Sequence, residues 1–228
     1  MKFDEIKTVA EAWKPQEVLR WGFERFGNSI ALASSFGAED VVLIDLAASV
    51  QSSFQVFTLD TEFLFQETYD LIRTIEKKYG IQVDRRRSQL TAQEQEEQFG
   101  PQLWKHSPDR CCNLRKVEPL KAKLGELQAW ITGIRRDQTA YRANAGKVEF
   151  DINFGLVKLN PLADWTSDQV WQYIHENQVP YNPLHELGYP SIGCTHCTRP
   201  VAKGDDPRAG RWAGVQKTEC GLHLKERA

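Results

Sequence analysis

The chain has five cysteines, and their spacing is the feature best suited to chemistry. Cys111 and Cys112 are adjacent, whereas Cys194 and Cys197 form a Cys-x-x-Cys pair. Four thiolates can hold zinc or an iron–sulfur cluster, although a Cys-x-x-Cys pair can also be a redox dithiol, and any one buried cysteine can be a small hydrophobic side chain. Structural zinc usually uses ligands separated by a residue or more, so the adjacent pair favours a cluster.

The fifth cysteine, Cys220, stands alone near the C-terminus in the segment Glu-Cys-Gly-Leu-His. His223 and nearby cations could lower the pKa of this thiol and give a nucleophile at neutral pH. The other interpretation is an exposed tail cysteine without a function. An odd number of cysteines, with no secretory signal in view, argues against a disulfide framework.

Basic residues form several separate points along the chain. Arg135 and Arg136 follow Gly133 at the end of a predicted strand, and guanidinium groups bind phosphate or sulfate oxygens through paired hydrogen bonds. These points therefore suggest an anion pocket, the other interpretation being a solvated charged loop. The run 85–87 next to an acidic helix is predicted to be a solvated face. Further basic residues of the suggested pocket are Arg115, Lys116, Arg142, Arg208 and Arg211.

The overall charge restricts what the protein can bind. There are 29 Lys and Arg against 31 Asp and Glu, which gives a net charge of −2 and disfavours a protein that coats nucleic acid or an anionic membrane. The longest apolar stretch, at 41–44, is interrupted by Asp45, so no transmembrane helix is expected. The N-terminal residues alternate in charge and lack the apolar run of a signal peptide, so we expect a cytoplasmic protein.

Strands and helices are predicted to alternate along most of the chain. This order indicates an α/β fold with a parallel sheet covered by helices on both faces. We expect a nucleotide-binding α/β domain at 1–179 and an extended C-terminal arm at 180–228, which is rich in Gly, Pro, Arg and Lys. The predicted strands are 30–34, 55–59, 81–85, 130–132 and 156–159, and the predicted helices are 15–26, 38–49, 63–79, 91–99 and 168–177.

The loop after the first predicted strand, 34–40, contains small residues and opens a helix. Ligands of α/β sheets bind beyond the carboxyl ends of the strands, where backbone N–H groups and a helix N-terminus suit an anion. The loop lacks the G-x-x-x-x-G-K-[ST] pattern and is therefore not a Walker P-loop. A plain serine-capped helix start is the competing interpretation.

Taken in order, these segments resemble the assimilatory sulfonucleotide reductases over about 29–223. The matching segments are SSFGAEDVVL, LDTEFLFQETY, QLTAQEQEEQFGPQLW, CCNLRKVEPL, ITGIRRDQTAYRA, NPLADWTSDQVWQYI, NPLHELGYPSIGCTHCT, RAGRW and ECGLH. The resemblance implies an adenine-nucleotide α-hydrolase-like fold with SSFGAED as its modified pyrophosphate loop. Family members with both cysteine pairs bind a [4Fe–4S] cluster and generally prefer adenylyl sulfate (APS), whereas members without them use the 3′-phosphorylated nucleotide (PAPS).

Carried onto this chain, the resemblance makes Cys111, Cys112, Cys194 and Cys197 the cluster ligands. We then expect the Cys220 thiolate to attack the sulfur of APS, release AMP and leave an S-sulfocysteine. No other thiol is free, so a partner dithiol, thioredoxin or glutaredoxin in this family, must expel sulfite. His223 is expected to orient or activate Cys220, and Lys116 to couple the cluster to the substrate. The family also suggests a homo-oligomer, a dimer or a tetramer.

The expected substrate contacts are the small residues of the loop for the nucleotide, one leucine for the adenine and the basic residues for the phosphosulfate. One departure from the family pattern, L-D-T-G with a Pro before Glu-Thr, is Glu62 in place of glycine, with Gln66 before Glu67. The predicted substrate-binding residues are Ser34, Ser35, Phe36, Gly37, Glu39, Leu59, Thr61, Arg115, Lys116, Gly133, Arg135, Arg136, Arg142, Arg208 and Arg211.

Three alternative functions remain compatible with the sequence. The same reaction could use PAPS, or both nucleotides. An ATP pyrophosphatase-type ligase or tRNA thiolase would share the fold, although such enzymes usually keep an S-G-G-x-D-S loop, from which 35–40 departs. A zinc-stapled nucleic-acid-binding module would bind DNA or RNA in a salt-dependent manner, which the net charge of −2 disfavours.

Overall fold

The computed structural model describes residues 3–202, 204–212 and 217. Within them, the strands form one six-stranded sheet in the order β3-β2-β1-β4-β6-β5. β1 pairs in parallel with β2 and β4, β4 pairs in parallel with β6, and β5 is antiparallel to β6. The strands are β1 (Ile30–Ala33), β2 (Gln55–Asp60), β3 (Val83–Arg87), β4 (Ala129–Ile131), β5 (Val148–Asp151) and β6 (Leu156–Leu159).

Helices connect β1 to β2, β2 to β3 and β3 to β4, whereas segments without an α-helix join β4 to β5 and β5 to β6. A π-helical turn, Asn113–Val117, follows the adjacent cysteines, and four short 3₁₀ turns complete the elements of the described chain. The helices are α1 (Phe3–Ala10), α2 (Pro15–Phe26), α3 (Ala38–Val50), α4 (Gln66–Tyr79), α5 (Ala92–Phe99), α6 (Leu103–His106), α7 (Pro108–Cys112), α8 (Glu118–Leu124) and α9 (Ser167–Glu176).

The chain divides into two compact units. Unit 1 comprises Met1–Thr58, Leu71–Asp84 and Leu124–Tyr181, and unit 2 comprises Leu59–Asp70, Arg85–Lys123 and Asn182–Ala228. The boundary at 179 inferred from composition remains a prediction of domain organisation. In the part of the chain that the structure describes, no helix has both the length and the apolar character to cross a bilayer.

The core of unit 1 is built around its central strands. Ile30, Ala31 and Leu32 of β1 are 0–1% exposed, because a strand buried on both faces needs an uninterrupted apolar run. α2 packs closely against the sheet at Gly22, where an added Cβ would come within 2.4 Å of Leu159 Cδ1. Burying such apolar surface contributes about 25 cal/mol per Å².

Most predicted elements are present, and their bounds shift by a few residues. α2 spans the predicted 15–26, whereas β3 begins and ends two residues later than predicted. α4 begins at Gln66 rather than at 63, because Phe63 and Leu64 instead pair with the segment around Cys194. The α/β arrangement with a mainly parallel sheet is confirmed. β5 was not predicted, and it makes one edge of the sheet antiparallel.

Candidate functional site

The loop between β1 and α3 is ordered by its own side chains. Ser34 N–H donates to the carbonyl of Phe57 (2.9 Å), and Ser34 Oγ accepts from the N–H of Phe36 (3.1 Å). Phe36 adopts a left-handed backbone (φ 60°) and buries its ring, so its side chain packs in the core of unit 1. Gly37 precedes α3 as its N-cap, while Ser35 is exposed. The loop therefore presents small residues and backbone groups at a strand end, as predicted.

Asp40 is a loop-organising residue that the sequence analysis missed. Its Oδ2 accepts both the N–H of Ser35 (2.6 Å) and the Ser35 hydroxyl (2.8 Å). Burial raises the pKa of Asp40 to about 6, against the opposing effect of the Ser35 hydrogen bonds and with a contribution from neighbouring Glu39. An aspartate in the first turn of a helix that follows a serine-rich loop is the signal that could have identified it.

We expect the stability of the chain to fall with rising pH because of Asp40. A carboxyl whose pKa is raised from 3.8 to about 6 holds its proton more tightly in the folded state, so its favourable contribution is present at low pH and is lost as the pH rises through about 6. Relative to Asp40→Asn, the wild-type free energy of unfolding should decrease by about 2 kcal/mol between about pH 4.5 and about pH 7.5. Urea denaturation of both proteins at these pH values measures the difference, and parallel pH profiles would contradict the assignment.

Glu39 links this loop to the loop after β4. Its Oε1 accepts from Arg135 Nε (2.9 Å) and from Gln138 Nε2 (3.1 Å), and Arg135 also pairs with Asp137. Gly133 allows the two loops to approach, because an added Cβ would lie 2.5 Å from Asp40 Oδ1. The structure therefore brings Glu39, Gly133 and Arg135 together in unit 1.

The other two predicted arginines of this loop have different partners. Arg136 donates to Glu11 Oε2 (2.5 Å), just after α1, and to the carbonyl of Ala145 (2.8 Å). These two groups, rather than the serine loop, hold its guanidinium. Arg142 donates to Gln138 Oε1 (2.5 Å), which connects it to the Glu39 network through one side chain.

All four paired cysteines lie in unit 2 and line one cavity. Cys111 and Cys112 end α7 and are each 7% exposed, Cys194 is 8% exposed, and Cys197 is half-buried. Two of the predicted basic residues, Arg115 and Lys116, line the same cavity. The remaining lining residues are Phe63, Trp104, Pro108, His196 and Trp212.

The segment after β2 fixes the Cys-x-x-Cys pair. The N–H of Thr195 donates to the carbonyl of Phe63 (2.8 Å), and the Thr61 hydroxyl lies 3.4 Å from Cys194 Sγ. On the other side, the N–H of Trp212 donates to the carbonyl of Cys197 (3.1 Å). Thr61 is fully buried beside Cys194, and its contact with substrate remains a prediction.

Burial favours the protonated form of two thiols in the cavity, so thiolates there need cations or a bound metal group to stabilise them. Burial raises the pKa of Cys111 to about 12 and that of Cys197 to about 11, and the neighbouring thiols add to both shifts. Cations oppose these shifts, Arg115 at Cys111 and Lys116 with Arg211 at Cys197. Four thiols at one cavity with cations around them match the donor chemistry of an iron–sulfur cluster.

The grouping of the thiols bears on whether they hold one metal ion or a cluster. Among the residues that the structure describes, no three His, Cys, Asp or Glu side chains are grouped closely enough to hold one ion. A cluster distributes its thiolate ligands over several irons, so its ligands stand around a larger group. The four-cysteine cavity is compatible with that arrangement.

Several residues around the cysteines were missed by the sequence analysis. The indole of Trp104 stacks on the His196 imidazole (centroids 3.9 Å apart, interplanar angle 7°). Lys217 Nζ donates hydrogen bonds to Asp109 Oδ1 (2.6 Å) and to the side chain of Cys112. The guanidinium of Arg211 lies over the ring of Trp212, 4.5 Å from the ring centroid. Their closeness in sequence to the cysteine motifs is the only signal that could have identified them.

Two further predicted basic residues lie in unit 2. Arg211 donates from Nη1 to Ser191 Oγ (3.2 Å) and to the carbonyl of Ile192 (3.5 Å). The backbone of Arg208 is anchored on Asp206 Oδ1 (2.8 Å), and its guanidinium lies 6.0 Å from the Trp212 ring. Cys220 and His223 lie outside the described residues, so their roles remain predictions.

The end of β2 requires one correction. Asp60 is 1% exposed, and Arg87 binds its Oδ2 through both Nε and Nη2 (2.9 Å each). Arg87 is therefore not only a solvated charge, because a buried carboxylate needs a partner. The Tyr69 hydroxyl also donates to Asp60 Oδ1 (2.7 Å). Leu59, the predicted adenine contact, precedes Asp60 and is half-buried.

Comparisons with known proteins show which family this chain is similar to. The protein-family model of the phosphoadenosine phosphosulfate reductase domain matches residues 29–200. An adenosine 5′-phosphosulfate reductase from Halalkalibacterium halodurans is 45% identical over 224 residues, covering 98% of this chain and 97% of that protein.

Two solved structures are also similar. A phosphoadenylyl-sulfate reductase from Candida auris has a TM-score of 0.77 and 33% identity, covering 86% of this chain and 96% of that one. An FMN adenylyltransferase from Candida glabrata has a TM-score of 0.59 and 15% identity over 85% of this chain and 68% of that one, which shows a shared fold. The expected adenine-nucleotide α-hydrolase-like fold is confirmed, and the chain belongs to the phosphoadenosine phosphosulfate reductase family.

Proposed function

We propose that this chain is an oxidoreductase that converts adenylyl sulfate into sulfite and AMP during sulfate assimilation. The observation that carries the proposal is the division of the thiols: four line one cavity in unit 2, which leaves Cys220 as the nucleophile. The curated relative at 45% identity over nearly the whole chain is named for the same reaction.

The reaction divides into two thiol steps. The Cys220 thiolate attacks the sulfur of the sulfate group, a new S–S bond forms, and the sulfur–oxygen bond to the AMP phosphate breaks, with its electron pair leaving on AMP. One thiolate of a partner dithiol then attacks Cys220 Sγ and releases sulfite with the pair from the S–S bond. The second partner thiol resolves the mixed disulfide, so the two electrons come from the dithiol.

The residues of this chain bind the nucleotide and balance its charge. The loop of Ser34, Ser35 and Gly37 offers backbone and hydroxyl donors to the nucleotide. Glu39 fixes the guanidinium of Arg135 in one orientation. Arg135 can then bind an anion without a further loss of side-chain conformational entropy. The basic residues predicted from the sequence bind the phosphosulfate group. They stabilise the negative charge that develops on the leaving phosphate.

We further propose a [4Fe–4S] cluster held by Cys111, Cys112, Cys194 and Cys197. When bound, it supplies structural and electrostatic support rather than electrons. Lys116 and Arg115 line the same cavity, so they can connect the charge of this group to the anionic substrate. Four buried thiols at one cavity are the support for this assignment.

The reductant that we propose is thioredoxin or glutaredoxin, since a dithiol protein can complete the thiol exchange. A cytoplasmic location follows, because that compartment keeps such dithiols and the chain's own cysteines reduced. Like its family, the chain is proposed to form a homo-oligomer, either a dimer or a tetramer.

PAPS is the second candidate substrate, and the 33% identical Candida auris reductase is named for it. Anaerobic assays with reduced thioredoxin and each nucleotide, with sulfite and AMP measured together, separate the two candidates. We expect kcat/KM to be at least about tenfold higher for APS, a difference of about 1.4 kcal/mol in transition-state binding. Faster turnover of PAPS would reverse the substrate assignment, and AMP formed only with ATP would support a ligase or thiolase.

A further inference from the structure

Glu62 has a backbone conformation that favours glycine. Its φ is 61°, in the left-handed region where side chains other than that of glycine are strained. Its Oε2 accepts from Arg115 Nη1 (2.6 Å) and from the N–H of Ala92 (2.9 Å), and its own N–H donates to Asp60 Oδ1 (3.1 Å). The side chain is therefore anchored on two elements of unit 2, which offsets the backbone strain.

Arg115 is the buried partner of Glu62. Its side chain is 1% exposed and lies on the π-helical turn that follows the adjacent cysteines. Nε donates to Gln95 Oε1 (2.8 Å), Nη1 donates to Glu62, and the Phe63 ring lies 5.0 Å from the guanidinium carbon. Three residues from two segments, Gln95 on α5 and the adjacent Glu62 and Phe63, thus fix the plane of the guanidinium.

One nitrogen of Arg115 is left over. Nη2 is buried and has no hydrogen-bond partner among the described residues, although Arg115 lines the cavity of the four cysteines. A buried N–H group without an acceptor is costly, and native structures rarely keep one. The thiols that line the cavity do not supply this acceptor, so Nη2 is matched to a ligand bound there, and a cluster held by four thiolates presents sulfide acceptors.

We propose that Glu62 is a positioning residue that holds Arg115 so that Nη2 donates a hydrogen bond to a sulfide of the cluster. The inference rests on the cluster assignment of the proposed function. A carboxylate at this position neutralises the buried guanidinium and restricts its rotation, so one N–H₂ group stays directed to the cavity. Hydrogen bonds to sulfur tune iron–sulfur clusters and slow their loss.

The test uses anaerobically purified holoprotein and four variants. Glu62→Gly relaxes the backbone and removes the carboxylate, Glu62→Gln keeps the shape and removes the charge, and Arg115→Lys removes Nη2. Gln102→Gly is the matched control, because Gln102 is also left-handed (φ 57°) but exposed and without a cap bond from its side chain. Iron release to a chelator and the Fe–S stretching bands in resonance Raman spectra are recorded for each.

We expect Glu62→Gly and Arg115→Lys to release iron about tenfold faster than wild type and to shift the Fe–S bands in the same direction. Glu62→Gln should lie between them and wild type, and Gln102→Gly should match wild type. Wild-type bands and release rates in Glu62→Gly overturn the inference; if that variant does not fold, the same result in Glu62→Gln overturns it. A wild-type protein that binds no iron overturns the cluster assignment itself, and the inference with it.

Discussion

Replacement of Cys220 by Ser is expected to abolish the covalent adduct with the substrate sulfur while leaving the iron content unchanged. A serine hydroxyl stays protonated at neutral pH and is a far weaker nucleophile than a thiolate. The other four thiols cannot substitute, because Cys111, Cys112 and Cys194 are at most 8% exposed and all four line one cavity. Turnover should therefore fall by about a thousandfold or more.

Intact-protein mass spectrometry measures this outcome most directly. Wild-type protein mixed with APS in the absence of reductant should gain the mass of one SO₃, and Cys220→Ser should gain none. Mixing the wild type with PAPS shows at the same time which nucleotide reacts faster. A sulfur adduct that persists in Cys220→Ser, or no adduct on wild-type protein with its full iron, would refute the S-sulfocysteine step.

Elements with local signals were the most predictable parts of the fold. α2 has Pro15 in its first turn and Gly27 directly after its end, and both of its bounds were predicted. The start of α9 follows a capping box in which Thr166 Oγ1 accepts from the N–H of Gln169, a pattern visible in the sequence. β5 was missed although Val148–Asp151 alternates apolar and acidic residues, because a run of four residues is a weak signal and the strand depends on β6 for its pairing.

The candidate site shows the same division between local and long-range information. The cysteine pairs could be identified from their spacing, and the structure places all four at one cavity. The pairing of Glu62 with Arg115 joins residues 53 positions apart, and that of Arg87 with Asp60 joins residues 27 apart. Charge patterns do not reveal such partners, because a buried ion pair exists only once the chain has folded around it.

Replacement of Cys194 by Ser is expected to remove most of the bound iron and, with it, the activity. A hydroxyl is a poor ligand for the irons of a cluster, which select soft thiolates. Cys194 is also held at two points by the segment after β2, through the bridge with Leu64 and the Thr61 hydroxyl 3.4 Å from its sulfur, so another residue cannot easily move into its place. Iron per chain and the visible absorption of the anaerobic protein measure the loss, and turnover should fall at least about a hundredfold.

Thr61→Val is the matched control for this loss. Valine has nearly the shape of threonine, so it removes the hydroxyl beside Cys194 and the hydrogen bond that this hydroxyl accepts from the N–H of Phe63, but leaves all four thiols in place. Iron should then remain bound in Thr61→Val and in Cys220→Ser but not in Cys194→Ser, which separates loss of a ligand from general damage to unit 2. Full iron in Cys194→Ser would exclude this cysteine as a ligand. Zinc instead of iron in the wild-type protein would exclude the cluster, because the same four thiols would then hold a different metal.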